Sequence, residues 1–152
     1  MKSKTPIYIS LIILISCLFL ILRGSPILNI PLIKEGTFPI GTLISWIGLI
    51  SFNIAIYLIF NVIHKSNRSI DMIFRFAFRS IIILASLWGF IGFLLANNWA
   101  FTFENHVEFR GGIGASQYFW IYTASLVLFP VLLILIYWFI LLSKKLLKDH
   151  NR

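Results

Sequence analysis

Charged side chains are scarce in this chain: Asp, Glu, Lys and Arg make up 12% of its 152 residues, and only five residues are acidic. A soluble domain carries about 25% charged residues, so a water-facing surface of ordinary extent is excluded. Cysteine is scarcer still. The single Cys17 excludes an intrachain disulfide and a cysteine-based metal cluster within one copy. No nucleophile motif, phosphate-gripping glycine loop or metal signature occurs either. The segments between the apolar runs are too short to bury a soluble catalytic core of their own.

What is present is hydrocarbon. The chain is 59% hydrophobic, against about 45–50% apolar residues in ordinary domains, and these residues gather in four runs: Ile7 to Leu22, Ile40 to Ile63, Ile81 to Ala96 and Tyr118 to Leu142. The third extends back past Arg79 and Arg75. A hydrocarbon layer about 30 Å thick is crossed by about 20 helical residues. The pattern predicts an all-α integral membrane protein: a single domain of four transmembrane helices, at about 7–23, 40–63, 70–96 and 118–142. Two outer loops, 24–39 and 97–117, are expected to form a small extracytoplasmic cap. Aromatic residues frame the last run, with Tyr118, Phe119, Trp120 and Tyr122 at one end and Tyr137, Trp138 and Phe139 at the other. From Trp120 to Trp138 a helix rises about 27 Å, close to the hydrocarbon depth.

The net charge of +8 follows the same plan. Lys2, Lys4, Lys65, Arg68, Arg75, Arg79, Lys144, Lys145, Lys148 and Arg152 fall on one side of the predicted membrane, and Arg23, Lys34 and Arg110 on the other. The positive-inside rule then puts both termini in the cytoplasm, with a bacterial inner membrane as the preferred setting. Because the charge is explained by topology, direct nucleic-acid binding is not expected. The first run has a short basic start, but Arg23-Gly24-Ser25 is a poor cleavage site, so it is expected to be retained as an anchor.

Three groups of residues stand out as candidate sites. Asn53, Tyr57 and Asn61 recur every four residues, which places them on one helical face within the second run. An amide there is expected to bond across to another helix or subunit. Lys65, Arg68, Arg75 and Arg79 form a basic collar suited to anionic headgroups or an acidic partner. Asp71 sits in the first turn of the third helix, four residues before Arg75, where it complements the helix dipole. Farther along, Ala85, Gly89, Gly92 and Ala96 mark a face for close helix packing.

The third group is the stretch FTFENHVEFR. Phe101, Phe103, Val107 and Phe109 alternate with Thr102, Glu104, His106, Glu108 and Arg110, the period of an extended segment with one buried face. Same-side neighbours then lie about 6.6 Å apart, too far for Glu104, His106 and Glu108 to hold one zinc ion with ligand atoms at about 2 Å. No catalytic, cofactor or metal residues are assigned. Phe101, Phe103, Glu104, His106, Glu108, Phe109 and Arg110 are instead expected to form an outer docking surface. The first loop, with Pro26, Pro31, Pro39 and several exposed isoleucines and leucines, is expected to lie over it as a lid.

These features favour a non-enzymatic sensor or interaction subunit, coupling the outer loop surface to a membrane or cytoplasmic partner. The bilayer, a protein partner and further copies of the chain are the expected contacts. A homo-oligomeric channel or membrane-disrupting effector, with Asn53, Tyr57 and Asn61 around a shared axis, is the alternative. A small integral-membrane enzyme ranks third, because the helix centres carry no charge. In architecture alone the chain is similar to small four-helix membrane proteins that act as sensor or effector subunits of bacterial antiviral defence systems.

Overall fold

A computed structural model describes residues 4–32, 38–63, 69–103 and 112–150. It contains four long helices: α1 (Thr5–Leu22), α2 (Ile40–Ile63), α3 (Ser69–Ala96) and α4 (Gly112–His150). All four are long and apolar enough to cross a membrane, and no strand forms among the described residues. The protein is an all-α protein of the integral membrane class.

Local chemistry sets the helix ends. Pro6 occupies the first turn of α1, where a missing N–H costs nothing. The helix stops at Gly24, whose φ of +60° is the left-handed conformation that glycine adopts freely. The Gly24 N–H donates to Ile21 O and the Ser25 N–H to Leu20 O, which satisfies the last carbonyls before the chain leaves the helix. Pro26–Asn29 then forms one short 3-10 turn, and Pro31 pairs with Pro39 in an antiparallel bridge. That turn lies directly on α2, since a Cβ added at Gly41 would stand 2.9 Å from the Leu28 carbonyl oxygen.

α4 is longer than its apolar run. It begins at Gly112 instead of about 118 and continues to His150 instead of 142. Hydropathy marks only the part that crosses hydrocarbon, and Ser116, Gln117 and Lys144 are compatible with helix at its wetter ends. The second outer loop, expected to run to 117, thus gives way to helix from Gly112 onward. Pro130 lies inside α4, fully buried, and the helix continues across it.

Consecutive helices pack side by side, α1 on α2, α2 on α3 and α3 on α4, and α2 also reaches α4. Apolar attraction cannot drive this within lipid, so close packing and hydrogen bonds must. The small face of α3 provides the close packing: Ala85, Gly89, Gly92 and Ala96 are all buried. The Trp46 indole of α2 fills the space over Gly89 and donates its N–H to the Ala85 carbonyl at 3.1 Å. Between α3 and α4, the Trp88 indole donates to Thr123 Oγ1 at 2.7 Å, and the Tyr122 hydroxyl donates to the Leu84 carbonyl at 2.6 Å. Ser10, Ser80, Ser86, Ser125 and Ser143 each return their hydroxyl to a carbonyl four residues back, so they need no partner helix.

A methyl group at position 89 would stand 2.5 Å from two Trp46 ring atoms, whereas position 114 has open space. Gly89→Ala is therefore expected to destabilise the bundle by about 1–3 kcal/mol. Gly114→Ala should change stability by less than about 0.5 kcal/mol. Unfolding of both variants in one detergent, followed by circular dichroism, checks the pair.

Candidate functional site

At the end of the bundle where α1 stops and α2 begins, hereafter the loop end, the chain after α3 folds back into the helices. Asn97 ends α3 with a φ of +58°. Next to it, Asn98 is buried and organises the turn: its amide nitrogen donates to the carbonyls of Ala96 and Thr102, and its oxygen accepts the Thr102 N–H. The Thr42 hydroxyl of α2 reaches across to the Trp99 carbonyl at 2.8 Å. Phe38, from the segment that precedes α2, packs on the Trp99 ring at 5.0 Å. The two loop-end segments therefore touch each other as well as the helices.

Phe101 occupies the centre of this arrangement. Its ring lies 5.1 Å from Trp88 and 5.0 Å from Phe119, centroid to centroid, and fills the space that a Cβ at Gly92 would need. Its φ of +53° is costly for a bulky side chain. Such a conformation persists where surrounding contacts over-determine it, and here the Trp88 and Phe119 rings and the Asn98 turn do so. Phe103 also turns inward, 5.5 Å from Phe119. Of the sequence-derived docking surface, Phe101 and Phe103 thus hold the loop to the bundle. Glu104, His106, Glu108, Phe109 and Arg110 lie outside the described residues.

The polar face of α2 divides in two. Asn53 is 2% exposed; its amide nitrogen donates to Leu49 O within the same helix, and its Oδ1 is buried without a hydrogen-bond partner. The cross-helix bond expected of it is not formed. Tyr57 belongs to the other half of the face, where its hydroxyl accepts the Arg79 Nε–H at 2.9 Å and Asn61 lies within hydrogen-bonding reach. The Arg79 guanidinium also stands 5.8 Å from the Tyr57 ring centre. Two sequence groups, the polar face and the basic collar, meet at this pair. Lys65 and Arg68 lie outside the described residues.

Asp71 lies in the first turn of α3 as expected, and it also bonds across to α4. It is 1% exposed, and the Tyr137 hydroxyl of α4 donates to its Oδ1 at 2.8 Å. Its other oxygen is buried without a hydrogen-bond partner. Phe60 and Phe74 pack on the Tyr137 ring at 4.9 and 5.1 Å, so the carboxylate lies beside an aromatic cluster. Sequence reasoning treated Asp71 as a dipole-stabilising residue of the first turn. The missed signal was that an ionisable group bordering a membrane-spanning run needs a named partner, and the tyrosine of the second aromatic belt was available.

A cavity of about 630 Å3 lies at the loop end, bounded by α1, α2, α4 and the Phe101 segment. Cys17 and Leu18 form one wall, Trp120 and Val127 the other, and Ser45 and Gly48 lie between. The cavity is mostly apolar. Among the described residues, no three His, Cys, Asp or Glu side chains converge in a way that could hold a metal ion.

Removing the donor to Asp71 leaves a buried carboxylate less satisfied than before. Tyr137→Phe is expected to cost about 1–3 kcal/mol. Combined with Asp71→Leu it should cost less than the two single changes added together. A double-mutant cycle in detergent measures that coupling.

Comparisons with protein families, curated proteins and solved structures return no match.

Proposed function

We propose that this chain is a non-enzymatic membrane subunit that receives a partner at its loop end and transmits the change into its helices. The observation that carries this reading is the seating of Phe101. A side chain at the exit of α3 is clamped between α3 and α4, while Thr42 ties the adjacent backbone to α2. A force that lifts the 98–103 segment acts on three helices at once. The joints between those helices, Trp46 with Ala85 and Trp88 with Thr123, lie within one or two turns of it. Coupling between sites requires such a contiguous, discrete arrangement.

The partner surface belongs to Glu104, His106, Glu108 and Arg110, which follow the clamped residues directly. Ten of the thirteen basic residues fall on the termini side, which supports an extracytoplasmic loop end and cytoplasmic termini in a bacterial inner membrane. Arg79, exposed beyond its bond to Tyr57, suits an anionic headgroup or acidic partner on the opposite side. A pore shared by several copies draws support from the unbonded Asn53 oxygen. That side chain is enclosed within one copy, however, so it would have to turn outward to reach a shared axis.

Affinity capture from gently solubilised native membranes tests the reading. One protein retained at fixed stoichiometry with the wild type, and lost with Glu104→Ala/His106→Ala/Glu108→Ala at unchanged abundance, is the expected result. Recovery of copies of the chain alone, together with ion conductance abolished by Asn53→Leu, would replace it with the pore.

A further inference from the structure

The loop-end cavity is ordered along the membrane normal. Its α2 wall runs from Thr42 through Ser45 and Leu49 to Phe52. Ten helical residues rise about 15 Å, half of a hydrocarbon layer about 30 Å thick. Hydroxyl side chains line only the part nearer the loop end, with Thr42 and Ser45 on α2 and Thr123 on α4. Leu14, Leu49, Phe52 and Val127 close the deeper part. The cavity therefore spans one leaflet, with its polar groups nearer the headgroup side.

Its mouth faces sideways. Leu18, Trp120 and Val127 line it and are 47, 61 and 40% exposed, so they border the surface that the four spanning helices present to lipid. Cavity size narrows the choice of occupant. Spread over about 15 Å, a volume of about 630 Å3 gives a mean cross-section of about 40 Å2. A partner helix about 10 Å across requires about 80 Å2, and a spanning helix would not stop at mid-membrane. An apolar chain with a polar head matches the depth, the polarity gradient and the lateral opening together.

We propose that this cavity binds the hydrocarbon chains of one phospholipid from the loop-end leaflet, with its headgroup at the level of Thr42 and Trp120. The bound chain fills the space between α1 and α4 and packs against the wall formed by Trp88, Phe101 and Phe119, so its presence bears on the clamp that holds the loop. This site stands independently of the partner-binding reading, because its occupancy needs no second protein.

The test uses the full chain in nanodiscs containing phosphatidylethanolamine with a diazirine on one acyl chain, photolysed and mapped by mass spectrometry. Two variants accompany the wild type. Val127→Trp places an indole in the cavity from a partly exposed position, and Leu128→Trp places one on the neighbouring lipid-facing position that does not line it. Wild-type adducts are expected to concentrate on Leu14, Phe52 and Val127. They should fall at least about fivefold at Leu14 and Phe52 in Val127→Trp, a change of about 1 kcal/mol, and stay unchanged in Leu128→Trp. Adducts spread evenly over the exposed faces of all four helices, or equal labelling in the two tryptophan variants, would overturn the proposal. Failure of the wild type to retain a partner, with lipid labelling intact, would overturn only the functional reading.

Discussion

Everything at the loop end depends on one constraint: α3 must present a surface without side-chain bulk where three aromatic rings converge. Gly89 accepts Trp46 from α2, and Gly92 accepts Phe101 from the loop and Phe119 from α4. In water, burying such rings would itself hold the helices together. Between lipid-facing helices that gain is absent, because the tails are as apolar as the rings. What remains is the quality of contact, and contact at van der Waals distance is open only where glycine leaves room. The indole N–H groups add direction. Each finds its acceptor on the neighbouring helix, which fixes the rotation of α2 and α4 about α3.

The opposite end is built on a different interaction. A buried carboxylate and a tyrosine hydroxyl join α3 to α4 at Asp71 and Tyr137, within a cluster of Phe60, Phe74 and Phe78. A hydrogen bond is electrostatically stronger where water is excluded, and losing one partner there is costly. Arg79 joins α3 to α2 through Tyr57 nearby. The two ends thus divide the labour: glycine-seated rings at the loop end, polar pairs at the other. α1 is held chiefly by α2, where a Cβ added at Gly48 would stand 3.1 Å from Cys17 Cβ. Among the described residues α1 has no comparable packing on α4, and the loop-end cavity lies open between them.

Much of the fold was legible because hydrocarbon thickness acts on composition. Four runs predicted four helices, and the small residues of α3 marked a packing face that the structure buries. What stayed hidden was pairing. Asp71 and Tyr137 are 66 positions apart, and no local period connects them. Each had a sufficient local explanation, as a dipole partner and as a belt aromatic. Asn53 was legible as a buried amide but not in its bonding, since the choice between an i−4 carbonyl and a neighbouring helix depends on side-chain geometry. The alternation around Phe101 predicted extended backbone, whereas Phe101 has a φ of +53° and its ring ends on Gly92; Val107 and Phe109 lie outside the described residues. The limits of α4 were missed because hydropathy reports the membrane and not the helix.

The central claim is that the Phe101 ring ties the loop to the helices. Amide hydrogen exchange at 98–103, compared between wild type and Phe101→Ala in nanodiscs, tests it most directly. The account predicts that exchange across this segment speeds up at least about tenfold in the variant, equivalent to about 1.4 kcal/mol of lost local protection, while α1 exchanges as before. Equal rates in the two proteins would contradict it, because the loop would then be held by its own turn and not by the ring.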